Sequence, residues 1–160
     1  MNNDKNNYLE RQWWKAMILK KYYKDKLAVI FSIKDNYDHT EVYYLEDTEF
    51  TGQLMMYYDT ETENLYNHGY FNRGYKVKEW KYYYPNGNLE FTESYVNGVK
   101  NGKFEKYYEN GAIKSRTFFL DNKENGKREE FYENGGLKGE INFYYGKQSG
   151  ISTFYHSNGK

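Results

Sequence analysis

Short runs of alternating apolar and polar residues, separated by turn sequences, dominate the last two thirds of the chain. On both sides of Asn110-Gly111, for example, aromatic and aliphatic residues alternate with lysine, glutamate and arginine. A period of two is typical of β-strands with one buried and one solvated face. Asn-Gly between two such runs favours a hairpin with a type I′ turn, because that turn needs positive φ at both central residues. The pattern therefore predicts consecutive antiparallel hairpins.

The hairpin pattern recurs every 24 residues, and Asn-Gly marks each copy. Four Asn-Gly pairs keep this spacing, and they begin at Asn86, Asn110, Asn134 and Asn158. Four further columns keep the same period: Leu65, Leu89, Ile113 and Leu137; Phe71, Tyr95, Phe119 and Phe143; Gly74, Gly98, Asn122 and Gly146; Gly102, Gly126 and Gly150. A degenerate earlier copy runs from Gly52 to Leu65. A fixed period predicts a repeat array, here one extended antiparallel sheet of 24-residue β-hairpins.

Treating each Asn-Gly as a two-residue loop fixes a strand register. The predicted opposite pairs are Tyr108 with Ile113, Lys106 with Ser115, Phe104 with Thr117, Tyr84 with Leu89, Tyr82 with Phe91, Trp80 with Glu93, Tyr132 with Leu137 and Arg128 with Ile141. This register gives one mainly apolar face and one mainly charged face, and a slip by one residue would destroy that sorting.

One aromatic column falls on the charged face, once per repeat. Its members are Tyr83, Tyr107, Phe131 and Tyr155. Since equivalent strands are two apart, neighbouring members should lie about 10 Å from one another. Two interpretations stay open. The rings pack against the aliphatic stems of Lys114 and Lys138, or they form a recognition stripe for a protein partner.

The first 45 residues do not follow the repeat. Asn7 and Glu10 have the spacing of a capping box, and Leu9, Trp13 and Met17 share one helical stripe, so the pattern predicts a helix over residues 7–24. Strands are expected at residues 27–33 and 41–45, with a turn at 34–38. We therefore expect a mainly β protein with an N-terminal helix packed at one end. Residues 1–45 form the helix and capping strands, and residues 46–160 form the repeat array, within one continuous domain.

Composition narrows the class of protein. The chain has 160 residues, 23 basic and 23 acidic side chains, and no cysteine. Zero net charge argues against a strongly basic nucleic-acid binder, and the lack of cysteine excludes disulfides and thiol chemistry. The aromatic content of 21% is mostly tyrosine. Tyrosine suits a β-sheet core in which the rings are buried and the hydroxyl groups reach solvent. No run approaches the roughly 20 apolar residues that span a membrane, and no targeting signal is visible, so a cytoplasmic location is the default expectation.

The charges are unevenly distributed. Between Asp35 and Asn72 there is no lysine or arginine. The acidic residues of that segment, here called the acidic stretch, are Asp35, Asp38, Glu41, Glu46, Asp47, Glu49, Asp59, Glu61 and Glu63. The stretch is either a solvated edge or a docking surface for a partner with a basic surface.

Candidate catalytic groups do not assemble into a recognised motif. Asp35, Asp38, His39 and Glu41 surround a predicted turn, and one histidine with scattered carboxylates is a weak metal signature. Phosphate-binding loops, nucleophile elbows and dinucleotide fingerprints are missing from the sequence. We therefore expect no catalytic residues, no metal and no cofactor.

The repeat resembles the MORN-variant family, in which an aromatic pair precedes Asn-Gly and a leucine or isoleucine follows it. The three clearest stretches are residues 83–89, 107–113 and 131–137, and the resemblance covers about residues 50–160. Bacterial proteins built this way are described as YwqK-like antitoxins. The resemblance implies a non-catalytic antitoxin, immunity protein or small inhibitor. Together with the acidic stretch it favours a basic, nucleic-acid-handling enzyme as the target, with no direct contact of the chain to nucleic acid. The alternative is a structural or membrane-associated scaffold.

The last strand is expected at residues 151–156, after which no returning strand follows in the sequence. Its outer backbone groups would form an open edge, and open edges accept another strand. We therefore expect this edge to contact a partner chain or a second copy of the protein.

Overall fold

The computed structural model describes residues 18–21, 27–35, 41–45, 48–57 and 64–157, and every regular element within those ranges is a β-strand. The strands are β1 (Ile18–Lys21), β2 (Leu27–Asp35), β3 (Glu41–Leu45), β4 (Thr48–Glu49), β5 (Gly52–Tyr57), β6 (Leu65–Asn72), β7 (Tyr75–Tyr83), β8 (Leu89–Val96), β9 (Val99–Tyr107), β10 (Ile113–Leu120), β11 (Lys123–Glu124), β12 (Gly126–Phe131), β13 (Leu137–Tyr144), β14 (Lys147–Gln148) and β15 (Thr153–Phe154).

The strands form two sheets. The smaller sheet has the order β1-β2-β3-β4. The larger sheet has eleven strands in the order β14-β13-β12-β10-β9-β8-β7-β6-β5, with β11 beside β10 and β15 beside β13. All recorded pairs of the larger sheet are antiparallel between strands that lie close in sequence. The predicted extended antiparallel sheet of hairpins is confirmed.

The predicted register holds along the bodies of the hairpins. Tyr82 lies opposite Phe91, and Arg128 lies opposite Ile141. Lys106 opposite Ser115 repeats the agreement in the middle hairpin. The sorting of side chains between the faces enforces this register, because any odd shift would bury charges.

Near the Asn-Gly tips the predicted register is wrong. The Tyr108 amide donates to the Ala112 carbonyl at 2.8 Å, and the Gly111 amide donates to the Tyr108 carbonyl at 2.9 Å. The loop therefore has three residues, and only its glycine has positive φ, at 85°. This is the geometry of a type I turn followed by a bulge, not a type I′ turn. A shift between Ile113 and Ser115 then adds one residue and restores the predicted register.

The type I′ turns lie at the other ends of the strands, where one hairpin joins the next. Asn97 and Gly98 have φ values of 48° and 81°, and they close a two-residue loop between Val96 and Val99. The same two positive φ values recur at the three equivalent connections, Arg73-Gly74, Asp121-Asn122 and Tyr145-Gly146. The mirror-image turn matches the right-handed twist of the strands that it joins.

The N-terminal helix prediction is wrong where the structure describes that segment. Residues 18–21 are strand β1, paired antiparallel with β2 through contacts such as Ile18 opposite Ile30. A short apolar run fits a buried strand as well as a helix, and here pairing with β2 satisfies the backbone groups. The other residues of 7–24 lie outside the described ranges. The strands expected at 27–33 and 41–45 are confirmed, although β2 extends to Asp35.

The core lies where the small sheet meets the first strands of the large sheet. The Tyr43 ring packs 4.6 Å from the Phe71 ring, and its backbone amide donates to the Gly74 carbonyl at 2.9 Å. Phe71 in turn makes an edge contact with Trp80 at 5.0 Å. Trp80 is only 1% exposed and lies directly on Gly69, where a side chain would collide with the indole. The small sheet therefore packs on one end of the large sheet and covers it.

Candidate functional site

One face of the large sheet, here called the aromatic face, carries a row of rings. Tyr82 stacks on Phe91 at 4.2 Å, Phe91 on Phe104 at 5.9 Å, and Phe104 meets Phe119 edge-on at 5.7 Å. Tyr82 is buried, whereas Phe91, Phe104 and Phe119 are half-buried. Burial therefore decreases along the row, away from the end that the small sheet seals.

A buried carboxylate lies beside this row on the same face, at Glu93, which pairs in register with Trp80 and Phe104. Glu93 is 4% exposed, and its Oε1 accepts a hydrogen bond from the Tyr95 hydroxyl at 2.5 Å. Lys100 Nζ forms an ion pair with Glu93 Oε2, also at 2.5 Å. Burial, and then the charge of Glu93, hold the pKa values of Tyr82 and Tyr95 well above the ordinary tyrosine range. Both hydroxyls therefore stay protonated at all physiological pH values and can donate to the carboxylate.

Beyond Phe104 the aromatic face opens into a pocket of about 490 Å³. Phe104 and Phe119 form the apolar wall, and Ser115 and Thr117 form the floor. Arg128, on the next strand, closes the pocket. Its Nε donates to Glu124 Oε1 at 2.9 Å, and its Nη2 pairs with Glu124 Oε2. The Arg128 guanidinium also lies over the Phe143 ring at 4.6 Å.

Two groups in the pocket are not fully satisfied. Thr117 is 7% exposed, and its Oγ1 has no hydrogen-bond partner among the described residues. Glu130 makes only long ion pairs, 3.9 Å to Arg128 and 3.7 Å to Lys138. A buried hydroxyl without a partner carries a free-energy cost that water or a ligand would relieve.

The opposite face, here called the charged face, is covered by ion pairs within strands and between neighbouring strands. Lys127 Nζ lies 2.8 Å from Glu140, and Lys103 Nζ lies 2.7 Å from Glu105. Arg116 pairs with Glu129 through Nε. The hydrogen bond and charge of Arg116 lower the pKa of Glu129 below its ordinary value. Acids and bases alternate across this face and largely balance one another.

The predicted aromatic column lies on the charged face, and all four side chains are half-buried. The Tyr107 hydroxyl donates to Glu105 at 3.0 Å, and burial together with this bond raises the pKa of Tyr107 to about 12. The Arg116 guanidinium lies 5.4 Å from the centre of the Phe131 ring. Tyr83 lies 5.7 Å from His68. The rings therefore pack within the charged face while keeping part of their surface in solvent.

The expected packing of the column on the stems of Lys114 and Lys138 stays a prediction, and the second ring of each aromatic pair makes contacts of its own. Lys114 Nζ lies 5.2 Å from the ring of Tyr108, the second member of the aromatic pair. The Tyr108 hydroxyl in turn donates to the Phe131 carbonyl at 2.8 Å, which ties one repeat to the next. Tyr84 and Tyr132 make the same bond to the carbonyls of Tyr107 and Tyr155. This second aromatic position links adjacent hairpins.

The structure describes three residues of the predicted acidic stretch. The backbone register places Asp35 opposite Glu41 at the end of the β2–β3 pair, and Glu49 is exposed in β4. The remaining six acids lie outside the described ranges, namely Asp38, Glu46, Asp47, Asp59, Glu61 and Glu63. The docking role of the stretch stays a prediction.

The C-terminal edge is formed by β14 and β15, which both pair with β13. The strand expected at 151–156 is regular only at Thr153–Phe154. The Tyr155 amide donates inward to the Lys138 carbonyl at 2.9 Å. Because inward and outward amides alternate along an antiparallel edge, the Phe154 amide points outward. Pairing of this edge with another chain stays a prediction.

Within the described ranges, no group of three or more histidine, aspartate or glutamate side chains is placed to hold a metal ion. Over the same ranges, no helix has the length and apolar character needed to cross a membrane. Sequence reasoning missed the pocket and the buried Glu93. Both were visible as departures from the repeat, since Ser115 and Thr117 stand where the preceding copy has Phe91 and Glu93.

Comparison with known proteins agrees with the hairpin geometry. The family model of the MORN repeat variant matches residues 76–97, 100–121 and 124–143. Each match covers one hairpin, β7–β8, β9–β10 and β12–β13. No curated protein matches the chain.

Proposed function

We propose, from the premise that residues 76–143 are repeats of the MORN repeat variant family, that the chain is a non-catalytic protein-binding protein. The observation that carries this proposal is the charged face. It presents one half-buried aromatic ring per hairpin, in a regular column flanked by ion pairs. Repeat arrays offer extended surfaces of this kind to partners, and tyrosine is favoured at the centres of protein interfaces.

The charge balance of this face favours a protein over a nucleic acid. Arg116 and Lys127, which would contact phosphates, are paired with Glu129 and Glu140. Binding of single-stranded nucleic acid needs a positively charged groove beside the stacking rings. Alternating charges instead suit a partner with its own mixed polar surface.

The partner that we favour is a basic enzyme that handles nucleic acid, and the chain would act as its antitoxin, immunity protein or small inhibitor. The acidic stretch supports this choice, because nine acidic residues without a compensating base would attract a basic surface. A structural or membrane-associated scaffold is the second candidate, favoured by the repeat array itself. Binding to anionic vesicles without any protein partner would favour the scaffold.

The proposal is tested by affinity capture of the full chain from the cells that encode it, followed by mass spectrometry and binding measurements with the purified partner. Replacing Tyr107 and Phe131 by serine should weaken binding at least tenfold, since both rings would leave the interface. Val96→Ser serves as the control, because Val96 is 55% exposed and lies opposite Val99, at the other end of β9 from Tyr107. Equal affinities for the column variant and the parent would contradict the proposal.

A further inference from the structure

We propose that the pocket between Phe104, Ser115 and Arg128 receives an aromatic side chain of a partner protein, one whose ring carries an N–H or O–H group. This inference rests on the proposed protein-binding function and adds a second contact, on the aromatic face, opposite to the charged face that carries the aromatic column. The occupant is therefore a tryptophan or tyrosine side chain, inserted over Ser115 with its polar end toward Thr117.

The repeat itself shows what fits this space. One repeat earlier, the position of Ser115 is held by Phe91, whose ring stacks between Tyr82 and Phe104. The position of Thr117 is held there by Glu93, which accepts a hydrogen bond from Tyr95. The pocket is therefore the volume that a ring and a polar group fill in the preceding hairpin.

The walls of the pocket suit a ring. Phe104 and Phe119 are half-buried and offer ring surfaces, and aromatic pairs favour stacked or edge-to-face contacts at such distances. The volume of about 490 Å³ lies within the range of small-ligand pockets, so a single side chain enters without rearrangement of the sheet.

The polar groups select a ring that carries a hydrogen-bond donor. Thr117 Oγ1 is buried without a partner among the described residues, and Glu130 makes only long ion pairs. Arg128 is already neutralised by Glu124, and Ser115, Thr117 and Glu130 offer acceptor oxygens at the pocket. An indole N–H or a phenol O–H can donate to any of them, whereas a phenylalanine side chain cannot.

The pocket is tested with small probes and the full chain. Backbone amide signals are followed by NMR while N-acetyltyrosinamide, N-acetyltryptophanamide, N-acetylphenylalaninamide or N-acetylargininamide is added. We expect saturable shifts at Ser115, Thr117 and Arg128 with the first two probes. The phenylalanine probe should bind several-fold more weakly. Saturation by the arginine probe alone would overturn the choice of an aromatic occupant, and no saturable shift with any probe would overturn the site.

Two variants locate the binding. Ser115→Phe copies the preceding repeat and should abolish probe binding, whereas Lys103→Phe places the same ring on the charged face and should leave it unchanged. Thr117→Val replaces only the hydroxyl with a methyl group. The affinity of the tyrosine probe should therefore fall about fivefold, while the affinity of the phenylalanine probe should stay unchanged. Equal losses for both probes would contradict the role of the hydroxyl. Thr117→Val also serves if Ser115→Phe does not fold.

Failure of this inference is distinguishable from failure of the proposed function. If the probes bind but no protein partner is found, the pocket stands as a binding site and the proposed function fails. A partner that binds Ser115→Phe as tightly as the parent would keep the proposed function and show that the pocket lies outside the interface, which would overturn its role as a partner site.

Discussion

Gly69 offers the sharpest test of the packing at the sealed end of the sheet. Its backbone lies outside the left-handed region, so alanine fits the conformation, but an added Cβ would lie 2.2 Å from two atoms of the Trp80 indole. Trp80 is fully enclosed, its Nε1 donates to the Tyr70 carbonyl at 3.3 Å, and Phe71 packs against it edge-on. Gly69→Ala must therefore displace the indole by about 1 Å, because core atoms are already close-packed.

The cost follows from two terms. Overpacking a filled core costs about 1–3 kcal/mol, and loss of the indole hydrogen bond adds about 1 kcal/mol. We therefore expect Gly69→Ala to lower the free energy of unfolding by about 2–4 kcal/mol. For a chain of this size that lowers Tm by roughly 4–16 °C. Urea unfolding followed by circular dichroism measures the first quantity, and calorimetry measures the second.

Two further variants make the test specific. Gly136→Ala is the matched control, since its backbone also lies outside the left-handed region and the nearest atom to the added Cβ is the Asn134 Oδ1 at 3.2 Å. It should change stability by less than about 0.5 kcal/mol. Trp80→Phe combined with Gly69→Ala should be less destabilising than the sum of the two single variants, because the smaller ring leaves room for the methyl group. A Gly69→Ala protein as stable as the parent would refute the contact between the indole and Gly69.

Three more predictions concern the repeats. Gly111→Ala should cost about 1–2 kcal/mol in chemical unfolding, because Gly111 has a φ of 85° and no atom lies within 4 Å of the added Cβ, so only backbone strain acts. Asn110→Val has no such strain and loses the bond that Asn110 Oδ1 accepts from the Ala112 amide at 2.9 Å, so it should cost about 1 kcal/mol, and a cost well above that of Gly111→Ala would show a type I′ turn. Tyr108→Phe should cost about 1 kcal/mol through loss of the bond to the Phe131 carbonyl, and an unchanged unfolding midpoint would count against that link between repeats. The Tyr107 phenol should ionise near pH 12 in an absorbance titration, with Tyr107→Phe as control. Because its folded pKa is raised, its contribution to stability is complete below about pH 10 and is lost as the pH rises toward 12, and ionisation near pH 10 would contradict the bond to Glu105.

The hairpin bodies were predictable because side-chain alternation fixes which residues share a face. Tyr82 opposite Phe91 follows from that alternation alone. The turn type did not follow, since the same dipeptide occurs in two loops. Asn97-Gly98 closes a two-residue loop, and Asn110-Gly111 belongs to a three-residue loop. Loop length depends on where the neighbouring hairpin fixes the strand ends, which a dipeptide does not specify.

The pocket required the structure, although its signal was present in the sequence. A small residue in a repeat column creates empty volume only if no neighbouring strand fills it. Gly139, for example, is covered by the Phe154 ring, whose nearest atom lies 2.8 Å from where a Cβ would be. Ser115 has no such cover and lines the pocket. Strand β1 was missed for a related reason, because the pairing of Ile18 with Ile30 joins segments that local periodicity treats separately.

The most direct test of the proposed function is the rate at which the chain associates with its captured partner, measured by stopped flow over a range of salt concentrations. Reversal of two acids of the acidic stretch, Glu46 and Glu49 to lysine, should slow association and reduce its salt dependence, because complementary charge steers encounter. Reversal of Glu109 and Glu133, two exposed acids at the hairpin tips, makes the same change in net charge and is the control. We expect a clearly slower rate and a shallower salt slope for the first pair only. Identical rates and slopes for both pairs, or for the first pair and the parent, would contradict it.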